Sequence, residues 1–318
     1  MKIAICGDQH WTTSRPANRI DDYYGTLLRK LEWEVSTAID MGCNLMVFPG
    51  DLFDHYKVPY GLVSKVLKTL VMAPSYHDMQ FFCVAGQHDQ RYHTQDLENT
   101  PLGLMVNAID DLFLLGSKPT TYLSTNNERT HFYGAGWGQD IPKPVDDVFN
   151  VLVTHRMVIG DTKLWEGQED YTEAKGLLRD YPEYDLFITG DNHARVIQHD
   201  QRGRAVINMG SMMRSTTAQM EHVPAMAIFD TETKDLQILE IPHEPAHKVF
   251  AVEKVAVEKE RNEKLDLFVN SLQQGEGSEK MNFASNLASF ITKNRDTISS
   301  GVESELKRML PVDTKLEV

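Results

Sequence analysis

The sequence predicts an α/β layered fold. Short apolar runs that stop at polar, glycine-containing turns alternate in the first third of the chain with longer segments whose apolar residues recur at helical spacing. The chain has 318 residues, 41% hydrophobic and 25% charged, which is enough to bury a large core. This composition excludes a disordered, collagen-like or coiled-coil protein.

Five apolar runs are predicted to be buried strands, because each is short and ends at a polar turn. In chain order they are KIAIC, LMVF, FFCVA, VLVT and DLFIT, and the turns after them are GDQH, PGDLFD, GQHD, HRM and GDNH. Apolar spacing predicts helices over residues 21–41 and 60–72, between the first three strands. Further along, RAVINMGS and PAMAIFDTETKDLQILEI alternate as paired strands do, with a turn near residues 231–234.

The pattern changes after Pro242 and Pro245, where FAVEKVAVEK predicts an edge strand and residues 260–272 and 281–291 predict helices. We therefore expect a domain over residues 1–247 and a smaller one over 248–318. No apolar run approaches the ~18 residues that a membrane span needs, and the first residues turn polar too soon for a secretory signal. These features predict a cytoplasmic protein, in which the three isolated cysteines are reduced core thiols.

Eight polar side chains follow the predicted strands: Asp8, His10, Asp51, Gln87, His88, His155, Asp191 and His193. Ligand sites of open α/β sheets lie beyond the carboxyl ends of the strands, so we expect these side chains to converge. Carboxylate and amide oxygens suit hard divalent cations, and imidazole suits manganese, iron and zinc. Seven ligands, leaving His88 aside, fit two ions better than one. Two such ions can catalyse phosphodiester hydrolysis.

The net charge of −14 would repel a polyanion if it were spread evenly over the surface. Nearly all of it falls within residues 1–247. The acidic residues there are either solvated surface groups or a cluster that bound cations neutralise. A nucleic-acid substrate therefore requires an acidic cluster whose charge is neutralised by bound cations.

The order of motifs DxH, GDxxD, GQHD, H and GDNH resembles that of the calcineurin-type metallophosphoesterases. Within that superfamily, GDLFD followed by Pro59 is more similar to the SbcD nuclease family, as is INMGSMMRSTTAQMEH. His55 stands where protein phosphatases usually carry arginine, which disfavours them. The resemblance covers about residues 1–240. It implies a four-layer α/β/β/α sandwich, with residues 248–318 forming a small α/β capping domain.

The resemblance also implies roles for the eight side chains. Asp8, His10 and His193 are implied to hold one divalent ion, and Gln87, His155 and Asp191 the other. Asp51 is implied to bridge the two ions, which are expected to be Mn²⁺ or else Mg²⁺. His88 corresponds to the catalytic histidine of the family, which contacts the scissile phosphate or protonates the leaving oxygen.

Two positions depart from the family pattern, and both fall on the second metal. Gln87 stands where the motif has asparagine, and Asp191 stands where it has histidine. Gln87 keeps an amide oxygen but adds a methylene, and Asp191 replaces a neutral nitrogen ligand with a charged oxygen. The second site is therefore more negative and offers harder ligands. We expect it to favour Mg²⁺ or Mn²⁺ over zinc. The alternative is an impaired second site.

The sequence thus predicts a DNA exonuclease and single-strand endonuclease acting at DNA ends. Family likeness implies an SbcC-like ATPase of the SMC family as partner, and a homodimer. His55 and Arg214 are candidate DNA contacts; the alternatives are a solvent-facing loop histidine and an ordinary ion pair. Trp11 and Trp137 are either base-stacking or packing residues. A phosphatase or phosphodiesterase for small substrates, and a non-catalytic DNA-end scaffold, are the alternative functions.

Overall fold

A computed structural model describes residues 1–71, 79–123, 128–145, 148–163, 168–251 and Ile291. The first third alternates strand and helix as predicted. Its elements are β1 (Lys2–Ile5), α1 (Tyr23–Asp40), β2 (Leu45–Phe48), α2 (Tyr60–Val71) and β3 (Gln80–Cys83). Helix α1 begins after Asp22, whose carboxylate accepts a hydrogen bond from the Gly25 amide, and ends before Gly42, whose φ is +74°.

The rest of the described chain adds helices and strands, some of which were predicted. They are α3 (Pro101–Ala108), β4 (Leu112–Leu114), β5 (Thr120–Leu123), β6 (Arg129–Ala135), β7 (Phe149–His155), β8 (Val158–Ile159), β9 (Thr172–Glu173), α4 (Ala174–Asp180), β10 (Leu186–Gly190), β11 (Val196–His199), β12 (Ala205–Asn208), β13 (Ala225–Asp230), β14 (Leu236–Glu240) and α5 (Ala246–Val249). Strands β7, β10, β12, β13 and β14 were predicted. The sequence analysis missed α3, α4, β6 and the shorter strands.

The larger strands form two six-stranded sheets, with the orders β14-β13-β1-β2-β3-β4 and β11-β12-β10-β7-β6-β5. Strands β1 to β4 pair in parallel, and so do β12, β10, β7 and β6. Antiparallel pairing is confined to the outer strands of each sheet. The carboxyl ends of β1, β2 and β3 therefore lie at one edge of the first sheet, and those of β7 and β10 at one edge of the second.

Alternating side chains along the central strands build three apolar layers. Ile3, Val47 and Phe82 of the first sheet share a buried cluster with Val153 and Ile188 of the second, so the two sheets pack face to face. The intervening residues of the first sheet pack against α1, α2 and α3. Those of the second sheet pack against α4. The order of layers is α/β/β/α, which confirms the predicted fold class.

The chain divides into two compact units, Met1–Ala251 and Val252–Val318. The predicted edge strand and helices of residues 248–318 lie outside the described residues, apart from positions 248–251 and Ile291. The domain boundary at His247 and the capping role stay predictions. Within the part of the chain that the structure describes, no helix is both long enough and apolar enough to span a membrane.

Candidate metal centre

The strand ends bring the predicted ligands together. Among the described residues, three groups place their nitrogen and carboxylate oxygen atoms within 4.8 Å of one another. They are Asp8 with His10 and His193, Asp8 with Asp51 and His155, and His10 with Asp51 and His88. The first two share Asp8, and the last two share Asp51. Side chains as far apart in sequence as Asp8 and His193 thus form one cage.

Three imidazoles surround Asp51, whose carboxylate is fully buried. Its Oδ2 atom lies 3.3 Å from His155 Nε2, 3.8 Å from His10 Nε2 and 3.9 Å from His88 Nε2. The Nε2 atoms of His10 and His193 are 3.0 Å apart, and His193 Nε2 lies 3.7 Å from Asp8 Oδ2. A carboxylate at the centre of three imidazoles is the arrangement that a bridging ligand requires.

Backbone conformation aims three of these side chains into the cage. His10, Asp51 and Asp191 have φ values of 47°, 46° and 77°, in the left-handed region that L-residues rarely adopt. Such strain concentrates at functional sites, where the surrounding structure holds it. Position 190 requires glycine because the ligand side chains approach its backbone closely. A Cβ atom there would lie 2.6 Å from Asp8 Oδ1 and 2.8 Å from His155 Nδ1.

Five buried atoms of the predicted ligands have no hydrogen-bond partner: Asp8 Oδ1, His10 Nδ1, Asp51 Oδ2, Gln87 Oε1 and His155 Nε2. Buried polar atoms without partners are costly, and each needs an explanation such as a bound ion. All five are carboxylate or amide oxygens or imidazole nitrogens, the types that divalent metals bind directly. The donor set therefore fits divalent cations.

The electrostatics of the cage favour positive charge. Burial raises the pKa of Asp8 well above its ordinary value. Burial opposes the charged forms of Asp51 and His155 too, but their attraction outweighs it: the pKa of Asp51 is lowered, and that of His155 is raised to about 10. Buried carboxylates that depend on a neighbouring positive charge are suited to holding metal ions.

Two histidines of the site are fixed by backbone carbonyls. His155 Nδ1 donates to the Pro49 carbonyl at 2.8 Å, which leaves Nε2 facing Asp51. His88 Nδ1 donates to the Asp54 carbonyl at 2.7 Å, so its Nε2 also faces the cage. The Asp54 carboxylate lies 3.7 Å from His10 Nδ1. Asp54 thus orients His88 through its backbone carbonyl.

The two departures from the family pattern contact each other. Gln87 Nε2 donates to Asp191 Oδ1 at 2.9 Å, and the Asp191 amide donates to Asp8 Oδ2 at 2.9 Å. Asp191 belongs to none of the three ligand groups found among the described residues. The Oε1 atom of Gln87 remains buried and free to coordinate. The second site therefore contains a paired amide and carboxylate.

Asp89 joins the two loops that carry Asp51 and His88. Its fully buried carboxylate accepts hydrogen bonds from the amides of Leu52 and Phe53 in one loop and from that of Gly86 in the other. The amides that bind the Asp89 carboxylate can be identified only in the folded structure, where the two loops meet.

The remaining candidates have other surroundings. His55 is exposed, and its Nδ1 accepts from the Lys57 amide. Arg214 is 5% exposed and donates to the carbonyls of Met220 and Glu244, so its guanidinium holds backbone segments together. That setting supplies neither the exposure nor the free donors that a DNA contact needs.

The aromatic candidates and the cysteines are mostly core residues. Trp11 is fully buried against Phe48 and Phe53, which favours the packing interpretation. Trp137 is partly exposed, with its ring 4.9 Å from that of His93. Cys6, Cys43 and Cys83 are all free and buried, as expected.

A sandwich of two mixed sheets, with carboxylates and imidazoles caged at the parallel strand ends, defines a metal-dependent hydrolase. The chain belongs to the calcineurin-like phosphoesterase family, whose model matches residues 1–196. It is thus a metallophosphoesterase, and the superfamily that the motifs predicted is confirmed. The assignment of each ligand to an ion stays a prediction.

Other comparisons are more distant. The chain is 14% identical to an archaeal phosphodiesterase of known structure, covering 76% of this chain and 99% of the other with a TM-score of 0.41. It is 13% identical to a dimetal phosphatase from Danio rerio, with coverages of 77% and 99% and a TM-score of 0.45. Comparison with curated protein sequences gives no match.

Proposed function

We propose that this metallophosphoesterase is a DNA nuclease of the SbcD type, which hydrolyses phosphodiester bonds at DNA ends and in single strands. The observation that carries the proposal is the contrast in exposure across the cage. The His88 and His193 side chains are 42% and 41% exposed, whereas those of Asp8 and Asp51 beneath them are fully buried. A centre that presents imidazoles at an open rim admits a phosphate within a long polymer.

The residues divide the chemistry between them. Asp8, His10, Asp51 and His193 are proposed to hold one divalent cation, and Asp51, Gln87, His155 and Asp191 the other. Two such cations supply charge neutralisation for the phosphate and lower the pKa of water. His88 contacts the phosphate or carries the proton that the leaving oxygen takes up, with its ring held by the Asp54 carbonyl.

Sequence supports the choice of DNA over a small ester. The GDLFD motif with Pro59 resembles SbcD nucleases, and His55 replaces the arginine usual in protein phosphatases. The same likeness is the basis for proposing an SbcC-like ATPase partner, a homodimer, and work in the cytoplasm during repair or recombination. Because phosphate contacts release counterions, DNA binding is expected to weaken as salt rises.

The Gln87–Asp191 pair favours a second candidate, a scaffold that binds DNA ends without cutting them. An Asp191 carboxylate engaged by Gln87 is less available as a ligand, and an incomplete second site would leave one ion. The nuclease is preferred because Gln87 Oε1 and His155 Nε2 are still unpartnered in the cage.

The deciding assay compares labelled duplex and single-stranded DNA with a small aryl phosphodiester, each with Mn²⁺ or Mg²⁺. Wild type is measured beside His88→Ala and beside His199→Ala, an exposed histidine of β11 that serves as the matched control. We expect DNA cutting that requires metal, is lost in His88→Ala and persists in His199→Ala. Turnover of the small ester alone would support a small-substrate enzyme, and DNA binding without cutting would support the scaffold.

A further inference from the structure

Three aromatic rings from two separate loops meet at the surface. The rings of His55 and Tyr56 are stacked, with centroids 4.3 Å apart and planes at 29°. The ring of Tyr92 lies 5.6 Å from that of Tyr56. We call these three residues the aromatic row. Tyr92 is 69% exposed and His55 is also exposed, so the row faces solvent.

The aromatic row lies beside the metal centre. His55 directly follows Asp54, whose carbonyl accepts the hydrogen bond from His88. Tyr92 is four residues beyond His88, a distance that the chain can extend to about 14 Å at most. That length spans at most about four nucleotides, since even the stacked strand of a duplex rises ~3.4 Å per nucleotide. A nucleotide near a phosphate at His88 is therefore within reach of the row.

Backbone strain holds Tyr92 in place. Tyr92 and the adjacent His93 have φ values of 52° and 57°. Six non-glycine residues with positive φ occur among those described, and three of the others are predicted metal ligands. Two consecutive aromatic residues in the left-handed region are energetically unfavourable, and the strain does not bury the Tyr92 ring. Strain that keeps a large ring exposed next to an active site indicates a binding role.

Two cations flank the rings in this acidic protein. Lys57 Nζ lies 5.5 Å from the centroid of the Tyr56 ring, and the Arg91 guanidinium lies 5.2 Å from that of Tyr92. Rings that offer a face for stacking, with cations beside them for the backbone, are the means by which proteins bind single-stranded nucleic acid. A small phosphate ester has no base for the rings to hold.

We propose that the aromatic row stacks an unpaired nucleobase of the strand whose phosphodiester lies at His88, with Tyr92 as the principal contact and Lys57 and Arg91 meeting the adjoining phosphates. This inference rests on the proposed nuclease function and specifies its substrate: a strand with unpaired bases near the cleavage point. The row is assembled only in the fold, because Tyr56 and Tyr92 lie 36 positions apart in sequence.

The test measures binding of labelled single-stranded DNA by fluorescence anisotropy with Mn²⁺ present. All proteins carry His88→Ala, so that no strand is cut. Tyr92→Ala is compared with Tyr92→Phe, which keeps the ring, and with Tyr60→Ala, which removes a tyrosine that is 86% exposed on α2. Each protein is also titrated with a strand of the same length that lacks bases.

We expect Tyr92→Ala to weaken binding of the normal strand about tenfold, and both control variants to bind as the parent does. On the abasic strand, the parent and Tyr92→Ala should bind equally. If the parent and Tyr92→Ala bind the normal strand equally, the aromatic row is not a platform for bases, and the nuclease proposal is unaffected. The same loss on both strands would also overturn the platform, because the effect would not depend on bases. A parent that binds neither strand would overturn the DNA function itself.

Discussion

Asp89 is predicted to stabilise the metal centre without touching a metal ion. Its Oδ2 atom accepts from the Leu52 and Gly86 amides at 3.2 and 3.0 Å, and its Oδ1 atom from Phe53 at 3.0 Å. Asparagine at this position keeps one oxygen but turns an NH₂ group toward a remaining buried amide. We therefore expect Asp89→Asn to destabilise the folded protein.

The expected loss follows from the bonds removed. One hydrogen bond to a charged acceptor is lost and one buried N–H is left unpaired, which costs about 2 kcal/mol. For a folded unit of this size, that lowers the melting temperature by about 4 to 8 °C. Asp89→Ala leaves all three amides without the carboxylate, and we expect a larger loss of about 3 to 5 kcal/mol.

Thermal unfolding followed by circular dichroism measures the effect, in EDTA so that metal binding does not contribute. Burial raises the pKa of Asp89 to about 7, so the measurement is made at pH 8.5, where the carboxylate is charged. Asp161→Asn, which removes an exposed partner of Lys175, is the matched control and should melt with the wild type. An Asp89→Asn protein that also melts with the wild type would refute the proposed role of Asp89.

Three further predictions concern the interior and the cage. Burial raises the pKa of Glu34 to about 8, so between pH about 4.5 and 8 the folded protein holds a proton that the unfolded chain releases. This group should make stability fall with rising pH by up to about 1.4 kcal/mol per unit, and urea denaturation of Glu34→Gln should show a slope that is shallower by that amount. Gly190→Ala places a Cβ atom 2.6 Å from the Asp8 carboxylate, so calorimetry should show an Mn²⁺ affinity at least tenfold weaker than that of the wild type. In the control Gly61→Ala the added Cβ atom has nothing within 4 Å, and the Mn²⁺ affinity should be unchanged. Gln87→Asn combined with Asp191→His should shift metal preference toward zinc in competition titrations; an unchanged profile would contradict the harder second site.

Strands with strong hydrophobic patterns were predictable, and those with mixed patterns were not. β2 is LMVF and fully buried, so its sequence alone indicates a strand. β6 reads RTHFYGA, in which Thr130 and His131 interrupt the apolar run although both are buried. Their burial depends on the neighbouring strand β7, which the local sequence does not reveal. The edge strand β11 has no fully buried residue, so its apolar pattern is weak.

The convergence of the candidate ligands was predictable because they directly follow buried strands that end at common sheet edges. What holds the ligands in place was less accessible. The Pro49 carbonyl that orients His155 and the amides that Asp89 accepts come from other parts of the chain. The Gln87–Asp191 contact joins residues 104 positions apart. Such contacts are set by packing of the two sheets, so local sequence patterns carry no signal for them.

The most direct test of the central claim is the metal content of the folded protein, measured by elemental analysis after equilibrium dialysis against Mn²⁺. The cage of carboxylates and imidazoles predicts two ions for each chain, and Asp51→Ala, which removes the shared carboxylate, should reduce that content. A wild-type protein that retains no Mn²⁺, or an Asp51→Ala protein that retains as much as the wild type, would contradict the account.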